Sequence, residues 1–286
     1  MKFSTCFLLM CSVCAVAQTP MARISFDGGS VMDPSSNTAG LIGGNPATIP
    51  GVIGDAMRFD GNDRIGFSGG INNLPATGNF SVSFYFRPNY IGSQMSLFGK
   101  RTACNAINIF DVRLRADGRL AVEIRNGTQI QNLVSFPLSC PDWMHVAIVR
   151  NGGQSTLYLN GVRVAQANGM VANIGNTSTF QISNSPCIGR DGTVGYSGDL
   201  DELEVYSQAL TLAQITAKAS PVVTNDPGVV SGFRSGTPYT LFGEDGWYLY
   251  QWSNGDTHQD TYVSPGVYSL TVLDSTGCAF IDYWCL

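Results

Sequence analysis

Residues 199–204, Asp-Leu-Asp-Glu-Leu-Glu, concentrate four carboxylates in six positions. On a strand alternate positions share a face, so Asp199 and Asp201 lie together, and a bulge would bring Glu204 alongside them. Two carboxyls roughly 5 Å apart in an aromatic cleft are what retaining glycoside hydrolysis requires, one as nucleophile and the other as acid. The same oxygens suit calcium, which takes carboxylates together with the carbonyls of Gly-rich turns. Asp60, Asn62 and Asp63 make a second oxygen cluster, though Asp-Gly pairs also close turns without any ion. A serine mechanism is not supported: His145 and His258 are the only histidines, and neither stands beside a G-x-S-x-G turn.

The elements that would position these groups are strands. Residues 143–165, WMHVAIVRNGGQSTLYLNGVRVA, read as three antiparallel strands. Asn160-Gly161 tolerates the positive φ of a two-residue turn, which sets Leu159 opposite Val162 and Leu157 opposite Val164. A loop over residues 151–154 then pairs Ile148 with Leu157 and Val146 with Leu159, so one face is continuously apolar. That face needs a second sheet over it. The opposite face carries His145, Ala147, Val149, Tyr158 and Arg163. Aromatic and guanidinium groups on an open sheet face stack on sugars and bond their hydroxyls, so His145, Tyr158 and Arg163 are the candidate ligand-binding residues.

Elsewhere the pattern repeats. Residues 79–87 alternate, with Val82, Phe84 and Phe86 on one face and Ser81, Ser83 and Tyr85 on the other. Around Ala116-Asp117-Gly118 the apolar faces agree only if the loop has three residues, pairing Leu114 with Leu120 and Val112 with Val122. Thr211 caps one short helix, LAQITA. Residues 219–237 lose all alternation and read as a linker, after which three or four further strands make a small module over 238–286.

With 16 Lys plus Arg against 21 Asp plus Glu, a net charge of −5 and no basic run, the chain lacks the basic stripe that nucleic acid requires. Residues 1–17 have a basic start, a short apolar core and Ala15-Val16-Ala17 before Gln18, the form of a signal peptide, and no stretch is long enough for a transmembrane segment. The mature chain is thus expected outside the cell, secreted or on the cell surface. Five cysteines would remain, 104, 140, 187, 278 and 285, with no zinc spacing, so disulfides are expected, and Cys104 with Cys140, both flanking the meander, is the pair expected first. Cys278 and Cys285 could pair only across a hairpin, since about 23 Å of extended chain exceeds a disulfide's reach.

Four segments, GDAMRFDGNDRI, NFSVSFYFRP, the 143–165 meander and YSGDLDELEVYSQALTLAQI, resemble in order and spacing the laminin-G-like, concanavalin A-like modules of secreted bacterial proteins, over residues 22–218. YQWSNGDTHQDTYVSPGVYSLTVLDSTGC resembles the immunoglobulin-like or PKD-like repeats that end bacterial surface proteins. The resemblance implies an all-β chain: a two-sheet antiparallel jelly-roll sandwich followed by a smaller immunoglobulin-like β-sandwich. It implies a non-catalytic module that binds a glycan or a cell-surface protein, as in adhesion, with a structural calcium. In related folds an aspartate on the last strand meets the turn after the first, which puts Asp201 near Asp27; with Asp60 these are the expected metal ligands. Glucanases on this fold carry Glu-x-Asp-x-x-Glu, but Asp199 is one methylene short of that first glutamate, and the surrounding residues fit the closing strand of the non-catalytic modules better. A glucanase or a structural spacer is the alternative.

Overall fold

The computed structural model describes residues 18–89, 92–169, 172–235 and 238–286; the expected signal peptide and Cys6, Cys11 and Cys14 lie outside them. Among the described residues the strands form four sheets. An eight-stranded sheet runs in the order Val162–Asn168, Gln154–Leu159, Met144–Asn151, Phe80–Pro88, Ser197–Tyr206, Asp55–Asp60, Ala47–Pro50, with Ala22–Ile24 also pairing on 197–206. A nine-stranded sheet faces it, in the order Gln129–Pro137, Arg119–Asn126, Asn108–Leu114, Gln94–Lys100, Gln181–Ile182, Arg64–Ser68, Thr38–Gly43, Met32–Asp33, with Thr193–Gly195 parallel to 94–100. Together they form the expected jelly-roll sandwich.

The core is what alternation demanded. Val82, Phe84 and Phe86 point inward, and Phe84 meets Phe98 of the opposite sheet edge-on at 4.8 Å between ring centroids. Each such buried aromatic contributes about 2–3 kcal/mol of transfer free energy. Val146 faces Leu159, Ile148 faces Leu157, Leu159 faces Val162, and Leu114 faces Leu120. The exception is Leu157, which faces Ala165 rather than Val164, because a bulge between Leu157 and Tyr158 adds one residue. Asp60 to Asp63 closes no hairpin. It carries the chain from one sheet to the other.

The C-terminal module has a four-stranded sheet (Thr224–Asn225, Ala279–Cys285, Val267–Leu273, Leu249–Trp252) and a three-stranded one (Val230–Arg234, Tyr239–Gly243, Asp260–Val263), closed over fully buried Trp252. Strands 224–225 and 230–234 occupy the stretch expected as a linker. Both are short sheet-edge strands, one of them bulged at Val230, so neither shows a period-two pattern.

Two disulfides correct the expected Cys104–Cys140 pair: Cys104 bonds Cys187, and Cys140 bonds Cys278. Cys104 follows strand 94–100, and Cys187 lies between the two strands, 181–182 and 193–195, that flank it, so sheet order rather than chain order makes them neighbours. Cys140 is claimed by the other module. The turn at Asp274–Cys278 presses into the jelly roll, its Thr276 carbonyl accepting from the N–H groups of Ser139 (2.9 Å) and Cys140 (3.0 Å), and Leu273 and Ala279 join the main core.

Candidate functional site

Strand 197–206 carries the bulge that would gather its acids: it interrupts pairing with 80–88 between Asp201 and Glu204, and Glu202 takes φ 49°. The bulge does not leave the carboxylates free. Asp199 stands opposite Arg58 on one neighbouring strand and Arg87 on the other, and both guanidiniums bond it at 2.7 Å. Arg23 donates to both oxygens of Glu202, each at 2.7 Å. Glu204 pairs with Lys218 of the helix Leu212–Ala219 and accepts from the Tyr206 hydroxyl at 2.9 Å. Asp199 and Glu204 are thus each ion-paired to neighbouring elements, Glu204 from above by the helix, and Asp199 lines a cleft of about 330 Å³ together with its two arginines.

Asp201 differs. Its Oδ2 accepts the N–H groups of Val52 (2.8 Å) and Ile53 (3.1 Å), while its Oδ1 is buried without a partner. Burial, with a smaller push from the Glu202 charge, raises its carboxyl to about 6 against the pull of the backbone N–H groups of Ile53, Val52 and Glu202. Asp27 lies beyond the same turn: its Oδ1 accepts from Asp55 N–H at 2.9 Å, and Asp55 in return accepts from Gly28 N–H at 3.0 Å. The turn must be glycine there, since a Cβ on Gly54 would stand 2.1 Å from Asp27 Oδ1 and one on Gly51 2.5 Å from Asp201 Oδ2. Asp27 and Asp201 therefore flank one turn, with Asp55 between. Asp60 belongs to a different corner, where it accepts from Asn62 N–H at 2.7 Å in a plain turn. Three ligand-type atoms do converge at Cys140, Asp142 and Cys278, but the two sulfurs are bonded to each other and are no thiolates.

The expected ligand face is a roofed one. His145 is 0% exposed, its Nε2 2.8 Å from Ser83 Oγ and its ring 5.1 Å from Tyr85. Burial, then the charge of Lys218, holds its imidazole down at about 3. Tyr158 packs into an apolar cluster with Ala147, Val149, Tyr206, Leu210 and Ile215. Arg163 reaches across to Thr257 Oγ1 of the C-terminal module at 3.2 Å. The cause is the segment after strand 197–206. It returns over this face and is stitched down where Leu210 N–H donates to Ser81 Oγ and Tyr85 donates to the Lys218 carbonyl. A signal for it was present: Ala147 and Val149 are apolar, Ser81 and Ser83 are small and uncharged, and the helix after Thr211 is amphipathic and needs a surface to lie on.

A laminin G family model, described as the concanavalin A-like lectin/glucanases superfamily, matches residues 59–216, more than half of the chain. The chain belongs to that superfamily. No curated protein matches it. Among solved structures, this concanavalin A-like chain is similar to domain 4 of AbnA, an extracellular arabinanase of Geobacillus stearothermophilus in complex with arabinotriose (22% identity, 70% of this chain and 98% of that one, TM-score 0.57). It is also similar to the binding domain of botulinum neurotoxin DC in complex with rat synaptotagmin II (14%, 90% and 72%, 0.57). A third is the binding domain of Paraclostridial Mosquitocidal Protein 1 (14%, 88% and 75%, 0.57). At these identities what is shared is the fold.

Outside the acidic strand, the concanavalin A-like module opens toward its C-terminal neighbour. Helix 212–219 and the outer face of the four-stranded sheet bound a cleft of about 590 Å³ that includes Thr216, Asn225, Thr271 and Tyr283. No reading of separate segments could place it, because its two walls come from different modules.

Proposed function

We propose that the protein is a secreted or cell-surface, non-catalytic binding protein that recognises a glycan or a protein partner. The observation that carries this is the fate of the acidic strand: Asp199, Glu202 and Glu204 are each spent on cations from neighbouring elements, and Asp201 is buried against a backbone turn. Similar structures support it: the arabinanase domain is in complex with arabinotriose, and the neurotoxin binding domain with synaptotagmin II and with SialylT.

A structural calcium ion would rest on Asp201, where it would supply the counter-charge that buried Oδ1 lacks, with carbonyls of the 51–55 turn as further hard donors; the carboxylates of Asp27 and Asp55 do not converge with Asp201 on one point and would act by holding that turn. In this reading the C-terminal module is immunoglobulin-like and serves to present the jelly roll. A glycan array run beside an assay for sugar release from β-glucans tests the proposal. Binding without release is the result expected; release that disappears in an Asp199→Asn/Glu204→Gln variant would sink it.

A further inference from the structure

Resting on that reading, we propose that the inter-module cleft is the ligand site and that its ligand is a neutral saccharide. The lining contains no Asp, Glu, Lys, Arg or His. An anionic sugar or a charged peptide would lose its hydration there and find no opposite charge in return. The polar groups present are hydroxyls and amides, which both donate and accept, as sugar hydroxyls do. Those of Thr216, Asn225, Thr271 and Tyr283 make no side-chain hydrogen bond among the described residues, so they are free for a ligand.

The floor supplies the other half of sugar recognition. Ile281 and Tyr283 alternate on one face of strand 279–285, with Thr271 directly opposite Ile281 on the adjacent strand. Tyr283 is 60% exposed, and a flat ring on a wall is a platform for the C–H face of a pyranose or furanose. At about 590 Å³ the cleft falls in the range of small-ligand pockets, which favour domain interfaces. Its walls are held in register by the Cys140–Cys278 disulfide, so little ordering would oppose binding. A comparably large open cleft, about 640 Å³ beside exposed Leu41 on the nine-stranded sheet, includes Arg64, and its one aromatic residue, Phe67, is buried in the core rather than presented as a platform, which makes it the control.

The test is an array of neutral and anionic oligosaccharides, followed by calorimetric titration of the hits into the protein and its Tyr283→Ala, Thr216→Trp and Leu41→Glu variants, each first checked for unchanged melting. The proposal expects neutral glycans to bind, with affinity insensitive to salt, about tenfold or greater weakening in Tyr283→Ala and Thr216→Trp, and none in Leu41→Glu. Neutral-glycan binding untouched by the two cleft variants overturns the site while leaving glycan recognition standing. Binding confined to anionic glycans overturns the ligand class. No glycan bound at all overturns the proposal and leaves only the protein-partner form of the functional reading.

Discussion

Asn160 Nδ2 donates to the carbonyl of Gly277 at 2.9 Å, across 117 residues of chain, while its Oδ1 accepts from His145 N–H at 2.7 Å. One turn of the jelly roll thus grips one turn of the C-terminal module. Because Asn160 sits at φ 50°, glycine can replace it without backbone strain, which isolates the side chain's contribution. Asn160→Gly leaves two buried backbone groups unpaired and is expected to cost about 2–4 kcal/mol in urea unfolding. A loss below about 0.5 kcal/mol would mean that the contact is dispensable.

The two disulfides close stretches of 83 and 138 residues, so chain entropy assigns each about 4–5 kcal/mol, with little difference between them. Their topologies separate them. Cys104–Cys187 lies within the jelly roll, whereas Cys140–Cys278 joins two modules. Replacing both Cys140 and Cys278 with serine is expected to split the calorimetric transition in two, the C-terminal module melting first. The Cys104/Cys187 double serine variant should lower one undivided transition. The same single peak in both variants would show that noncovalent contacts alone couple the modules.

Much of the sandwich was legible in the residues because register follows from matching faces: the pairs Val146–Leu159, Ile148–Leu157 and Leu114–Leu120 each come from a local turn and an apolar alternation. What stayed hidden depends on contacts distant in sequence. His145 reads as exterior until helix 212–219 is laid over it, and Cys140 reads as a partner for Cys104 until the C-terminal turn arrives. Arg150 is fully buried, its guanidinium donating to the carbonyls of Pro75, Gly78 and Ala172 over the Phe80 ring, and nothing in its neighbours' identities announces that three carbonyls will converge there. Asp27 and Asp201 were brought together by resemblance; the Asp55 clamp between them emerges only from the paired turns.

Two buried groups give opposing pH dependence. His145 titrates at about 3 when folded against an ordinary 6.5, so the unfolded chain binds more protons in that interval and stability falls as the solution is acidified through it. Asp201 titrates at about 6 when folded against an ordinary 3.8, so the folded chain binds more protons and stability falls as pH rises through that interval. Where the windows overlap the slopes oppose each other. Relative to the parent in calcium-free buffer, His145→Gln should gain stability toward acid pH, and Asp201→Asn should gain it toward neutral pH. Urea midpoints across the range test this; difference profiles of the same sign for both variants would contradict the assignment.

The unpartnered Oδ1 of Asp201 makes the metal reading quantitative. An ionised carboxylate oxygen buried without a donor costs about 1–3 kcal/mol, and a calcium ion would remove that cost only in the folded state. At a calcium concentration about a hundredfold above Kd, linkage adds about 2.7 kcal/mol, or about 5–10 °C in Tm for a chain of this size. Asp201→Asn should abolish the calcium response while raising calcium-free stability near neutral pH, since the amide carries no charge to bury. Asp27→Asn should weaken the response, and Asp60→Asn, at the other corner, should leave it intact. Scanning fluorimetry with calcium and with chelator decides the matter. Equal melting in both, or a shift that survives in Asp201→Asn, removes the ion from this turn and leaves the buried oxygen to be neutralised by its own proton.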